Sequence, residues 1–279
     1  MAEILYGLPV VEGIKENLIK EIKTLSEKGI LPTLGIIRVG NRPDDMAYEK
    51  RVLKNSAEIG LGTRVFKLNE NSDREEFISK VKEINENENI HGILLFRPLP
   101  DLLEQNVAVN EMISPKKDID CMHHENLRKV FEGDDTGHLP CTPEAVLAIL
   151  RHYNIDREGA NIVIVNRSLV IGKPLSMILL KENATVTLCH SKTKNLMEIT
   201  KKADIVVTGI GKGEFFTKDY FNKDSIIIDV GINYKDGKMC GDVKFDEVEP
   251  EVKAITPVPG GVGLVTSSIL LKHVIDSIK

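Results

Sequence analysis

Short apolar stretches alternate with helix-period segments along this chain, and that alternation restricts its fold more than any other feature. Val11, Ile14, Leu18, Ile22 and Leu25 recur at helical spacing, and Gly29 closes that helix. "TLGIIRVG" then reads as a buried strand, "NRPDDM" as a polar turn, and residues 47–59 as a second helix stopped by Gly60. "TRVFKL" is a second strand, Ser72 with Glu75 forms a capping box for a helix through Ile84, and "HGILLF" is a third strand ended by "RPLP". Strands that alternate with helices require crossover connections, so a parallel sheet is expected.

Beyond "SPKKDIDC" and the turn-rich "EGDDTGHLPCTP" the rhythm restarts. A helix near residues 144–152 leads into "ANIVIVNRS", whose strand spans 162–165. The next helix, 174–181, carries Pro174 in its first turn, where no donor is lost. "ATVTLCHS", "ADIVVTGI" and "SIIIDVGI" are three further apolar strands. The expected fold is α/β with two domains. One is an N-terminal α/β domain of residues 1–140 and 267–279, to which the C-terminal helix returns. The other is a Rossmann-like, parallel-sheet domain of residues 141–266. In such sheets ligands sit beyond the carboxyl ends of the strands.

Composition excludes several classes. Charged residues are 28% and hydrophobics 42% of 279, a globular composition, and a net charge of −5 without a basic run argues against nucleic acid as a partner. No apolar run reaches about 18 residues, so no membrane partner is expected. The start "MAEILYGLPVVEGIKENL" has the composition of neither a signal nor a transit peptide, which points to a cytoplasmic protein. Cys121, Cys141, Cys189 and Cys240 are scattered, and His123 and His124 are adjacent rather than one helical turn apart, so no metal site is expected.

"TPVPGGVG", residues 256–263, packs two prolines and three glycines between a strand-like "VKAIT" and an apolar helix beginning at Thr266. A stiff loop with bare amides there suits close approach to a bound molecule, or serves as an ordinary connector.

In the second array the turn after Val165 is "NRSLVIG", a poor match to G-x-G-x-x-G. It still offers a strand end, a helix N-terminus for phosphate charge, and Arg167 with Ser168. The next strand ends in His190 and Ser191, where an adenosine ribose would lie, and no Asp or Glu stands there. An acidic residue at that point usually holds the ribose of NAD, so NADP is favoured and NAD is less expected.

Taken together, "VGNRPDDMAY" with "EIG" after it, "GILLFRPLP", "PKKDIDC", "LPCTP", "NRSLVIGKP", "ATVTLCHSKT", "DIVVTGIGK", "IIDVGI" and "TPVPGGVG" resemble, in order, the methylenetetrahydrofolate dehydrogenase/cyclohydrolases of one-carbon metabolism. The resemblance implies a cleft between two α/β domains, a homodimer through the cofactor domain, and a place in purine biosynthesis. It implies oxidation of 5,10-methylenetetrahydrofolate to the methenyl form with NADP, usually followed by hydrolysis to 10-formyltetrahydrofolate. Asn166, Arg167, Ser168, Gly172, Pro174, His190, Ser191 and Ile232 would serve the cofactor, with Asn166 where the family usually has glycine. Tyr48 would stack near the pterin, Asp120 would hold its amino-pyrimidine edge, Pro98 and Leu99 would line the pocket, and Pro259, Gly260 and Gly261 would border it.

The chain departs from the family pattern at points that bear on chemistry. Val52 stands where bifunctional members carry the lysine of Y-x-x-x-K, and Phe96 replaces the glutamine of "VQLPLP". Arg97 replaces the following leucine and should face away from Phe96, while Cys121 replaces a glycine and "GVGLVT" replaces "GVGPMT". Lys50 and Lys54 lie about 200° and 240° around the helix from Tyr48 and should point elsewhere. Hydride loss needs alignment alone, whereas hydrolysis needs a proton carrier. The expectation is therefore a dehydrogenase whose cyclohydrolase step is lost or weak. The alternatives are the bifunctional enzyme and, in another class, a non-catalytic folate- or nucleotide-binding sensor.

Overall fold

The computed structural model describes residues 1–106 and 109–279, with the side chains of 102, 105, 106 and 109 left aside. The chain forms two compact units. One comprises residues 13–129, 135–139 and 267–279, and the other residues 1–12, 130–134 and 140–266. Residues 1–12, expected with the first array, group with the second, because β1 (Glu3–Ile4) pairs in parallel with β11 (Ala254–Ile255).

The first of these units is built on a three-stranded parallel sheet of order β3-β2-β4, from β2 (Thr33–Val39), β3 (Gly62–Leu68) and β4 (Gly92–Leu95). Strand β2 is buried along its whole length, as a central parallel strand should be. Helix α1 (Gly7–Glu27) leads into β2, and helices α2 (Pro43–Ile59) and α3 (Arg74–Glu86) make the crossovers. Helix α2 starts four residues earlier than expected, with Pro43 at its N-terminus and Asp44 and Asp45 in the first turn, and Gly60 ends it at φ 79°. The cap of α3 is Asp73, which accepts the Glu76 N–H at 2.8 Å, rather than the expected Ser72. Short helices α4 (Asp101–Asn106), α5 (Val109–Met112) and α6 (His124–Glu132) follow β4. Ile37, Phe77, Val81, Ile84, Ile93 and Leu103 pack together as the core.

The other unit carries a six-stranded, all-parallel sheet of order β1-β11-β8-β7-β5-β6. Its remaining strands are β5 (Asn161–Val165), β6 (Thr185–Cys189), β7 (Ile205–Thr208) and β8 (Ile226–Asp229). Helices α7 (Cys141–His152), α8 (Gly172–Lys181), α9 (Leu196–Lys201) and α10 (Phe245–Val248) connect or flank them, and β9 (Asn233–Lys235) with β10 (Lys238–Cys240) forms an antiparallel hairpin. The last helix, α11 (Val262–Asp276), begins inside the Gly-Pro segment, four residues before the expected Thr266. Going from β5 to β6 and then across to β7, the chain reverses direction through the sheet, which opens a crevice at the carboxyl ends of these strands. Among the described residues no helix is long and apolar enough to cross a membrane.

Candidate functional site

A cavity of about 650 Å³ opens at that crevice. Asn166, Arg167 and Ser168 after β5, His190 and Ser191 after β6, and Gly209, Ile210 and Lys212 after β7 line it. The turn after β5 is organised by Asn166. Its Oδ1 accepts the N–H of Ser168 at 2.8 Å and of Gly172 at 3.0 Å, and the Ser168 hydroxyl at 2.8 Å, while Nδ2 donates to the Gly209 carbonyl. A Cβ on Gly172 would lie 2.0 Å from the Asn166 carbonyl oxygen, so a side chain there is excluded. After β6, His190 N–H donates to Thr193 Oγ1 at 2.9 Å and Lys192 N–H to His190 Nδ1 at 3.1 Å, which fixes that turn too. Lys212 Nζ stands 5.7 Å from the Phe215 ring centroid, within cation–π range.

Arg167 and Lys212 bring positive charge, Ser168, Ser191 and Thr193 bring hydroxyls, and among the described lining residues there is no carboxylate. Such a wall accepts a phosphorylated nucleotide and suits a 2′-phosphate better than a bare ribose diol. Of the residues expected at the cofactor, five line the cavity. Gly172 and Pro174 are buried at the start of α8, and Ile232 is exposed in the loop after β8, outside the lining. Gly209, Ile210 and Lys212 escaped the sequence reading although "TGIGK" follows a strand end, a signal that would have found them. Phe215 and Tyr220 had no such signal.

The residues expected at the folate lie in the unit with the three-stranded sheet. Tyr48, midway along α2, packs its ring 5.3 Å from that of Phe96, just past β4, and the Arg51 guanidinium stands 5.1 Å from the Tyr48 centroid. Val52 is 3% and Phe96 5% exposed, so both are core hydrocarbon. Lys50 is exposed, and Lys54 reaches toward Glu58 at 3.9 Å with its side chain 76% exposed. Helix α2 is fixed by a buried ion pair, Arg38 Nε to Glu49 at 2.7 Å, and the same guanidinium donates to the Gly40 carbonyl and to Asn41 Oδ1.

Arg97 turns to the other wall. It pairs with Glu104 at 3.3 Å and, with Asp118 and Asp120, lines a cavity of about 30 Å³. Asp118 is spent on the local turn, accepting N–H from Met122 at 3.0 Å and His123 at 2.8 Å and the Asn126 amide at 2.9 Å. Cys121, in place of glycine, takes a left-handed φ of 55°, a conformation that costs a side-chain-bearing residue roughly 1–2 kcal/mol. Leu99 is buried, and exposed Pro98 offers its carbonyl to Arg42 at 3.0 Å. In the six-stranded unit, Gly260 takes φ 112° and its carbonyl accepts the Gly7 N–H at 2.8 Å. A Cβ on Gly261 would lie 2.6 Å from the Pro257 oxygen, and neighbouring Pro259 is exposed.

A parallel sheet whose strand ends surround a cation- and hydroxyl-lined cavity defines a dinucleotide-binding α/β protein. The profile of the tetrahydrofolate dehydrogenase/cyclohydrolase catalytic domain matches residues 5–120, and that of the family's NAD(P)-binding domain matches residues 140–279. The chain belongs to the tetrahydrofolate dehydrogenase/cyclohydrolase family, a family of enzymes. It is similar to a Clostridium botulinum protein named bifunctional protein FolD, 54% identical over 278 residues, 99% of this chain and 98% of that one. The crystal structure of the bifunctional enzyme FolD, methylenetetrahydrofolate dehydrogenase/cyclohydrolase, from Campylobacter jejuni matches with TM-score 0.96 and 37% identity, covering 99% of this chain and 98% of that one. The Trypanosoma brucei methylenetetrahydrofolate dehydrogenase-cyclohydrolase, crystallised with NADP and an inhibitor, matches with TM-score 0.91 and 32% identity over 99% and 97% of the two chains. These likenesses lend no support to a non-catalytic sensor.

Proposed function

We propose that the chain oxidises 5,10-methylenetetrahydrofolate to 5,10-methenyltetrahydrofolate, with NADP as the acceptor. The observation that carries this reading is the 650 Å³ cavity with Arg167, Ser168 and Ser191 on its wall, in a chain of this family. The Trypanosoma relative bound to NADP supports the same choice. NADP supplies a nicotinamide carbon that takes up hydride. The lone pair of the nitrogen beside the methylene carbon drives the hydride out, forming the amidinium-like cation, so no side chain has to accept a proton in this step. The protein's part is placement and exclusion of water. In this proposal the Tyr48 ring stacks on the pterin, Asp120 accepts its amino edge, Pro98 and Leu99 close the pocket, and Pro259, Gly260 and Gly261 border it. Formation of NADPH on mixing protein, substrate and NADP tests the reading, and its absence overturns it.

Two readings of the following hydrolysis rest on different observations. The relative at 54% identity and the Campylobacter enzyme are both called bifunctional, which favours a chain that also makes 10-formyltetrahydrofolate. That weighs against the expected loss of the step. The reading in which hydrolysis is slow keeps one support: Val52 and Phe96 are buried hydrocarbon, and neither can carry a proton. Decay of methenyltetrahydrofolate absorbance with protein, compared with buffer, separates them. A homodimer, a cytoplasmic location and supply of one-carbon units for purine biosynthesis complete the proposal.

A further inference from the structure

Asp242 lies just past the hairpin of β9 and β10, fully buried, and its carboxylate is not on the wall of the nucleotide cavity. It nevertheless accepts three consecutive backbone N–H groups of the loop after β7: Ile210, Gly211 at 3.3 Å and Lys212 at 2.8 Å. A fourth bond comes from Asn233 Nδ2 at 2.9 Å, next to Ile232 on the loop after β8. Ile210 and Lys212 line the cavity, and Gly211 between them holds a left-handed φ of 68°.

A second buried carboxylate keeps Asp242 in place. Asp229 accepts N–H from Gly231 at 2.9 Å, Asp242 at 3.2 Å and Val243 at 2.8 Å, and the Thr208 hydroxyl at 3.2 Å. The fit is close on both sides. A Cβ on Gly231 would meet the Asp242 carboxylate at 2.4 Å, and one on Gly241 would meet Asp229 Oδ2 at 2.0 Å. A buried carboxylate persists only where donors replace its lost hydration, and here those donors are the amides of a largely exposed loop. Satisfying Asp242 and fixing that loop are therefore one event.

We infer that Asp242 is a positioning residue for the cofactor, holding the 210–212 loop and the 233 segment in the single arrangement that forms the cavity wall. This rests on the reading that NADP occupies that cavity. Asp242 itself does not touch the ligand. An asparagine at 242 would turn an amide N–H₂ toward two of the four donors and release part of the loop.

The test is a fluorescence titration with NADPH of the unaltered protein and of Asp242→Asn, with the fold checked by urea unfolding and steady-state constants measured alongside. The expected result is an NADPH Kd about 10- to 100-fold weaker, a matching rise in KM for NADP, and kcat at saturating NADP and KM for the folate within about threefold. A folded Asp242→Asn that binds NADPH as tightly as the unaltered protein overturns the inference, as does a fall in kcat with KM unchanged. Failure of the unaltered protein to bind NADPH overturns the cofactor reading, and the inference with it. If Asp242→Asn does not fold, Gly211→Ala decides. Its added Cβ meets nothing within 4 Å but strains the left-handed φ. NADPH binding weakened about fivefold is expected, and unchanged binding overturns the inference.

Discussion

At the strand ends of the six-stranded sheet, buried or half-buried polar side chains are each held by several backbone donors. Beside the three-stranded sheet, positions 52 and 96 hold buried hydrocarbon, with the Phe96 ring against that of Tyr48. Asn166 and Asp242 illustrate the first arrangement: Asn166 gathers N–H groups of its own turn and Asp242 those of the loop after β7, and both fix a wall where anionic phosphate can be received. Val52 and Phe96 illustrate the second: both are buried, Phe96 packs against the Tyr48 ring, and Lys50 and Lys54 stay on the exposed side of the helix. Binding an anion and orienting a hydride donor require preset dipoles and shape. Moving a proton requires a titratable group at the reacting carbon. On the proposed reading the two regions bear on different steps, and each can be altered without the other.

The largest effect should come from supplying what the hydrocarbon region lacks. On the reading in which the unaltered chain hydrolyses methenyltetrahydrofolate slowly, Val52→Lys combined with Phe96→Gln is expected to raise that rate on the order of 10²-fold, whereas the bifunctional reading expects little gain. A gain under about threefold would show that another group already carries the proton, and the contrast between the regions would fail. A smaller effect is expected on the polar side. Arg167→Ala should lower kcat/KM for NADP roughly 10-fold and leave NAD nearly unchanged, because only the former presents a 2′-phosphate to the guanidinium. Equal losses with both cofactors would move Arg167 away from the phosphate.

The smallest effect concerns stability. Burial first, and the Asp242 charge further down, push Asp229 up to about 6, against hydrogen bonds from Val243, Gly231 and Asp242 that pull it down. Because the folded value lies above the ordinary carboxylate range, the folded form binds the extra proton. The stabilisation is complete below the unfolded value near 3.8 and is lost as pH rises through about 6. Between pH 7.5 and 5 this should add about 1 kcal/mol to the unfolding free energy of the unaltered chain and nothing to Asp229→Asn. Burial of His91 lowers its pKa and acts in the opposite direction, but it is common to both proteins and cancels. Identical pH dependence of the urea midpoints would contradict a titrating Asp229.

The central strands of both βα arrays were legible because most are compact apolar runs between turn residues, whereas β1, β9 and β10, of two or three residues each, carry no such run. The early start of α2 had its own signals in Pro43, Asp44 and Asp45. The stretch 101–132 was not legible, since α4 and α5 have six and four residues, too few to show a repeat. At the site, Arg167, Ser168 and Ser191 could be read because a strand end and a helix start bracket them. Asp229 and Asp242 could not. In "IIDVGI" and "CGDVKF" they look like loop acids, and only the pairing of β9 with β10 and the closeness of Gly231 and Gly241 bury them together. Phe96 and Arg97 were told apart by strand alternation, which carried on past the end of β4.

Deuterium on the methylene carbon of the folate offers the most direct measurement. Incubated with the protein and NADP, that substrate is expected to yield NADPH carrying the label, with NAD reduced more slowly at equal concentration. Absence of reduced cofactor, or NADPH whose new hydrogen comes from solvent, would contradict a reaction that rests on alignment alone.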